Sequence, residues 1–448
     1  MKRPALHRPT PIKRAVPRVP VCTASLLTVL LASAFALVGC KQHDAFKEMR
    51  PGPDEATIAR GAYLAKAGDC AACHDAANHA PFAGGQPVNS PFGPIYASNI
   101  TPDPVHGIGR YTLQQFADAL RRGVSPRNGH LYPAMPYPSF ASLNDDDVAA
   151  LYQYFEYRVQ PVANAVPPTR LPFPFNQRWA LGLWRIVFAR HARYTPQAER
   201  SALWNRGAYL VQGLGHCGAC HTPRGPGYNE LGYDGHSPAY LTGGVNDHWS
   251  APNLTGDPAS GLGRWSAADI AAFLRDGHNA RSLAFGAMAP VVGESTHYMT
   301  DSDLDAIAIY LKSLPPRRQS GQYADTPDAR AATARTLATG LPERPGAGVY
   351  LAFCAHCHGV DGRGEPGHAS ALAGSALALS RDPTSALRIV IEGSESPDVS
   401  HRKMPGFRGR LTDAEIAQVV SFVRDAWGNG AAPVSTAEVT RLRDAIHR

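Results

Sequence analysis

Cys70-Ala71-Ala72-Cys73-His74, Cys217-Gly218-Ala219-Cys220-His221 and Cys354-Ala355-His356-Cys357-His358 are three copies of one Cys-x-x-Cys-His run. Two thiols one helical turn apart suit thioether bonds to the two vinyl groups of a haem, and the adjoining histidine then turns under the iron. The run is the signature of c-type haem attachment. Taken singly, a Cys-x-x-Cys pair also suits half a zinc site or a redox dithiol. Three copies with matching flanks read as three covalent haems c. Cys70, Cys73, Cys217, Cys220, Cys354 and Cys357 are the attachment points, and His74, His221 and His358 the proximal iron ligands.

The repetition extends well beyond the motif. Arg60-Gly61-Ala62-Tyr63-Leu64 precedes the first run, Arg206-Gly207-Ala208-Tyr209-Leu210 the second and Gly348-Val349-Tyr350-Leu351 the third. Downstream, Ser98-Asn99-Ile100-Thr101-Pro102-Asp103 is matched by Pro252-Asn253-Leu254-Thr255-Gly256-Asp257. The chain therefore divides into a segment 54–160, a Pro- and aromatic-rich linker 161–200, a close copy 201–316, a second linker 317–344, a shorter relative 345–430 and a tail 431–448.

Each copy reads as helical. Leu113, Phe116, Ala117 and Leu120 recur at helical spacing after Thr112, and the run stops at Gly123. Its counterpart starts at Ser266, with Asp269 completing a capping box, and ends before Gly277. Each copy closes with an amphipathic helix, whose apolar faces are Val148, Leu151, Tyr152 and Phe155; Leu304, Ile307, Ala308 and Leu311; and Ile416, Val419, Val420 and Val423. These units resemble small class I cytochromes c, in which a glycine-bearing opening helix crosses the closing one. The resemblance implies a mainly α fold of three tandem class I cytochrome c-like domains, each built around its haem. Gly61, Gly207 and Gly348 are the expected points of close approach.

Methionine is the expected sixth ligand, and the chain has only six. Met1 and Met49 lie outside the repeats. Met135, Met288 and Met404 each stand in a Pro-containing loop shortly before a closing helix and are read as distal ligands. Met299 directly precedes Thr300, the expected N-cap, and matches Leu143 and Leu411, so it reads as one half of a hydrophobic staple. His79, His106, His130, His216, His236 and His356 are read as solvated or bonded to haem carboxylates.

The formal charge of +7 does not describe a nucleic-acid-binding face. Lys2, Arg3, Arg8, Lys13, Arg14 and Arg18 carry six of those charges ahead of residue 40, with no acid among them. They form the basic start of a targeting segment 1–39, followed by an apolar run from Val21 to Val38. The ending Leu37-Val38-Gly39-Cys40 resembles the lipobox of bacterial lipoproteins and marks Cys40 for lipidation as the first mature residue. An uncleaved signal anchor is the other reading. Both place the chain on the periplasmic side of a bacterial membrane and tether it there. In the first linker, the stretch from Trp179 to Phe188 is too short to span a bilayer. It suits docking on a partner, lying at a membrane interface, or packing between the first two copies.

No dinucleotide fingerprint, nucleophile elbow or metalloprotease helix is present, so no catalytic residue is assigned. With the signal, the Asn-Ile/Leu-Thr-x-Asp loops and Tyr310-Leu311-Lys312-Ser313-Leu314-Pro315-Pro316, the chain resembles the triheme cytochrome c subunits of bacterial membrane-bound alcohol and gluconate dehydrogenases. The resemblance implies an electron-transfer subunit whose partner is a flavin or quinoprotein catalytic subunit and whose acceptor is ubiquinone or another respiratory-chain component. A self-contained haem enzyme of peroxidase or thiosulfate-oxidising type would need an open iron, which three loop methionines oppose. A general electron shuttle would need no dedicated dehydrogenase.

Overall fold

The computed structural model describes residues 51–448 except 318, 320, 340–343, 366–368, 395–402 and 447–448. The targeting segment and Cys40 lie outside the described residues. The described chain is mainly helical, and its strands form only short two-stranded antiparallel ribbons.

Three helix crossings organise the chain. Helix Glu55–Ala67 is capped by Asp54, whose carboxylate accepts the Thr57 N–H at 2.8 Å. It crosses Asp145–Tyr157, capped by Asn144. Helix Ala202–Tyr209, capped by Ser201, crosses Asp301–Lys312, capped by Thr300. Helix Ala347–Phe353 packs on Asp413–Asp425, whose Thr412 and Glu415 complete a capping box. At the first two crossings the backbones meet at glycine. A Cβ on Gly61 would run into the Ala150 carbonyl, and one on Gly207 into that of Ala306.

The third crossing differs from expectation. A side chain at Gly348 would meet open space, and the close approach is made by Gly346, beside the Gln418 carbonyl. The reason is helix length. The third opening helix begins only at Ala347, so its point of contact falls on the N-cap instead of mid-helix. Gly346 has φ +95°, a left-handed backbone that glycine adopts without strain.

The expected apolar faces are buried in all three closing helices, except that Val423 is only partly buried. The staple residues Leu143, Met299 and Leu411 are buried as well. Helix Leu113–Arg122 has its Thr112–Gln115 capping box and ends at Gly123. Helix Ala267–Asp276 has the Ser266–Asp269 box and ends at Gly277.

The stretch read as a second linker carries structure of its own. Helix Pro327–Thr339 buries Thr333 and Leu337, and the Thr333 hydroxyl accepts the Trp427 N–H at 2.8 Å. Strand Gln322–Tyr323 pairs with Asn429–Gly430. The tail forms helix Thr436–Ala445, which buries Val439 and Leu442 in the same apolar cluster as Trp427.

Candidate functional site

Each Cys-x-x-Cys-His run ends in a single helical turn: Cys70–His74, Gly218–His221 after Cys217, and Ala355–His358 after Cys354. A turn of helix brings side chains three residues apart onto one side, so each run offers its two sulfurs together. The histidine Nδ1 atoms all face backbone carbonyls. His74 lies 2.7 Å from Ser98 O, His221 2.8 Å from Pro252 O and His358 2.9 Å from Ser370 O. A carbonyl only accepts, so each Nδ1 carries the proton and each Nε2 is left with its lone pair. Burial holds all three imidazoles below their ordinary pKa. The product is three neutral imidazoles, each oriented by its Nδ1 bond and each with an Nε2 lone pair free to serve as a ligand.

Two of those carbonyls belong to the repeated Asn-x-Thr loops, which explains why that loop recurs. Asn99 accepts from the Thr101 N–H at 2.9 Å and the Thr101 hydroxyl at 2.7 Å, and donates to Val162 O at 2.8 Å. Asn253 accepts from the Thr255 N–H at 2.9 Å and donates to Arg317 O at 2.8 Å. Both asparagines are buried. Each rivets its loop to the chain beyond the closing helix, and the rivet sets the carbonyl that holds the histidine.

Burial pushes the thiols up: Cys70 and Cys217 to about 12, Cys73 and Cys354 to about 11, and Cys220 in the same direction. Such thiols stay protonated at neutral pH, unlike the low-pKa thiolate of a redox dithiol. Among the described residues no three His, Cys, Asp or Glu side chains converge as a metal-binding set. A zinc site has no complete ligand shell here. Paired thiols beside one neutral, oriented nitrogen fit haem c. Near the second run the buried Arg224 Nε has no hydrogen-bond partner among the described residues, a donor suited to a haem carboxylate.

The three loop methionines take different backbone forms. Met135 sits in a turn, its N–H on Tyr132 O at 3.2 Å, directly before the short helix Tyr137–Phe140. Met288 opens the short helix Met288–Pro290. Met404 lies on a strand paired with Gly393–Ser394. All three are half-buried, whereas Met299 is buried in its staple slot.

Sequence reading missed how the first two copies lock together. Tyr63 donates to Asp303 at 2.6 Å and accepts the Thr300 N–H at 3.3 Å. Tyr209 donates to Asp147 at 2.5 Å and accepts the Asn144 N–H at 3.3 Å. Each aspartate also binds an arginine of its own copy: Arg206 reaches Asp303 at 2.7 and 2.8 Å, and Arg60 reaches Asp147 at 2.7 Å. The two copies thus exchange equivalent bonds across the contact. His216 Nε2 lies 3.3 Å from Gly68 O, so the residues just ahead of the first two runs touch. The signal for this lock was the tyrosine shared by the two Arg-Gly-Ala-Tyr-Leu repeats.

Asp69 and Glu230, also beside the runs, were missed too. Burial pushes both carboxyls up to about 7, with Glu294 reinforcing the shift at Asp69 and Arg224 opposing it at Glu230. The third copy joins the second through Ser250 and Ser385, each taking the other's N–H, at 2.7 and 3.0 Å. Beside them Arg388 lies over the Trp249 ring at 4.3 Å. That ring also packs on Phe285 and Gly286, just ahead of Met288.

A family model described as cytochrome c matches residues 205–315 and 344–427. Over 404 residues the chain is 45% identical to the cytochrome c subunit of alcohol dehydrogenase (quinone) of Gluconacetobacter polyoxogenes, covering 88% of this chain and 86% of the relative. It is 45% identical to the gluconate 2-dehydrogenase cytochrome c subunit of Pantoea cypripedii, over 87% of this chain and 90% of that one. It is 40% identical to the fructose dehydrogenase cytochrome subunit of Gluconobacter japonicus, over 86% and 82%.

Proposed function

The chain belongs to the cytochrome c subunits of alcohol, gluconate and fructose dehydrogenases, electron-transfer subunits with covalent haem c, and from that premise we propose a three-haem relay. It takes electrons from a periplasmic dehydrogenase catalytic subunit, flavin or quinoprotein, and delivers them to ubiquinone. Three domains, 54–160, 201–316 and 345–430, each hold one haem. The observation that carries this reading is the threefold histidine geometry, Nδ1 on a backbone carbonyl at 2.7–2.9 Å beside a paired set of thiols.

When bound, haem c supplies a one-electron iron couple whose potential follows its axial ligands and surroundings. The chain does the rest. Cys70 and Cys73, Cys217 and Cys220, and Cys354 and Cys357 hold the three groups covalently. His74, His221 and His358 present neutral Nε2 atoms, kept in that tautomer by Ser98, Pro252 and Ser370. Met135, Met288 and Met404 would supply the thioether ligands, which raise a haem's potential and would occupy the position an exogenous ligand needs. Thioether ligation with filled coordination suits transfer and disfavours peroxide chemistry. The Tyr63–Asp303 and Tyr209–Asp147 bonds keep the first two centres in register. Attachment to the membrane is through lipid at Cys40 or through the uncleaved apolar run 21–38.

Two measurements test the reading. Protein matured by a c-type haem assembly system should carry three covalent haems by mass and by pyridine haemochrome; two or fewer in fully matured protein would end the three-domain reading. Alone it should oxidise no alcohol, yet pass electrons to ubiquinone once a catalytic subunit reduces it.

A further inference from the structure

Exposed apolar side chains occur singly on most protein surfaces and need no explanation. Helix Arg178–Phe188 is different. Trp179, Leu183, Ile186 and Val187 are each between 59% and 69% exposed. Their spacing of four, three and one residues puts them on one face of the helix, and exposed Phe173 lies just ahead of it.

The opposite face is already occupied. Trp184 donates through its indole N–H to Gly227 O at 2.6 Å, and its ring stands edge-on to Tyr137. The Phe188 ring lies against Gly227, and its carbonyl accepts the Tyr233 hydroxyl at 3.0 Å. The helix is thus bolted to the chain on both sides of the linker and keeps a second apolar face for something outside. Eleven residues span roughly 16 Å, about half the hydrocarbon core of a bilayer. Among the described residues no helix is long and apolar enough to cross a membrane.

Charge selects the occupant. From residue 157 to 198 the sequence holds no Asp or Glu but six arginines, at 158, 170, 178, 185, 190 and 193. Arg158, Arg190 and Arg193 pair with Glu55, Asp234 and Asp145 from elsewhere in the chain, which sets Arg178 and Arg185 apart as the two on this helix. Arg178 and Arg185 lie on one flank of the apolar face, and Arg178 is set there by the Tyr132 ring at 4.7 Å and His130 O at 2.9 Å. An outward face of Trp, Leu, Ile and Val on a helix that carries two arginines and no acid of its own is the make-up of a helix lying among anionic headgroups.

We infer that the outward face of helix Arg178–Phe188 rests in the headgroup region of an anionic phospholipid bilayer, a second membrane contact beside the N-terminal attachment. This rests on the tethered placement proposed above. One attachment leaves the domains free to swing; a second, 140 residues further along the chain, sets which side faces the lipid.

The test is hydroxyl-radical footprinting of the full-length holo protein in three settings: detergent, phosphatidylglycerol-rich vesicles and phosphatidylcholine vesicles. Flotation reports attachment in parallel. Labelling of Trp179 should fall at least about fivefold in phosphatidylglycerol vesicles, while exposed Val105 and Val360 keep their rates. The pair Leu183→Asp and Ile186→Asp, at exposed positions that leave the haem spectrum intact, should restore the labelling. Protein that floats with the vesicles but leaves Trp179 fully labelled overturns this inference and spares the N-terminal anchor. Protein that does not float overturns both. Equal protection in phosphatidylcholine refutes the anionic assignment, and protection only when a dehydrogenase catalytic subunit is bound gives the face to that protein.

Discussion

Gly207→Ala is a substitution for which helix propensity and packing predict opposite signs. Gly207 lies inside the helix Ala202–Tyr209, where alanine is favoured over glycine by about 1 kcal/mol. The added methyl, however, would overlap the Ala306 carbonyl and come within 2.9 Å of the Tyr310 Cβ. The obstacle is helix backbone, which cannot rotate aside as a side-chain tip would. Forcing the crossing apart costs on the order of 3 kcal/mol, the upper end for overpacked cores. It also strains the neighbouring Trp204–Tyr310 ring contact. The net expectation is a loss of about 2 kcal/mol. Gly348→Ala, in a helix of the same kind but facing open space, should instead add about 0.5–1 kcal/mol. Urea unfolding of the holo protein, followed by circular dichroism and haem absorbance, orders the variants. A Gly207→Ala midpoint at or above the parent, or a Gly348→Ala midpoint below it, would refute the reasoning about where the helices touch.

Other expectations follow from the same geometry. Tyr209→Phe leaves buried Asp147 short of one charge-assisted bond and should cost about 1.5–3 kcal/mol, with Tyr63→Phe weaker because Asp303 is the less deeply buried of the two carboxylates; a double variant no worse than either single one would deny that the two bonds are separate. Burial pushes the Asp303 carboxyl up, but the bonds from Arg206 and Tyr63 outweigh it and hold the group below its ordinary value. Its contribution should therefore be whole above the unfolded value of about 3.9 and drain away as pH falls through the lower folded value; acid titration of Asp303→Asn should lack that loss, and an identical acid profile would speak against it. Replacing Met135, Met288 or Met404 by Ala should remove about a third of the thioether-to-iron band, open one iron to carbon monoxide and lower that potential. Met299→Leu should do none of these, and a band lost on that change would reverse the ligand assignment.

What the sequence determined by itself was local. A Cys-x-x-Cys-His run needs only one helical turn to present its sulfurs, and a Ser, Thr or Asn cap with an acid or amide three residues on needs only its own backbone. The three runs, the caps at Thr112, Ser266 and Thr412, and the buried faces of the closing helices were therefore legible without a fold. Tertiary structure decided whatever depends on a distant backbone. Whether Gly346 or Gly348 meets the closing helix turns on where the third opening helix starts, and the repeated sequence around Tyr350 does not encode that start. That Tyr63 reaches Asp303, and Tyr209 Asp147, follows from one copy docking on the other, across separations of 240 and 62 residues. The segment from Trp179 to Phe188 is apolar nearly all round, so periodicity could not say which side faces out. Trp184 and Phe188 found partners on the folded chain and Trp179, Leu183, Ile186 and Val187 did not, because the surface offered to that helix is wide enough for one face only.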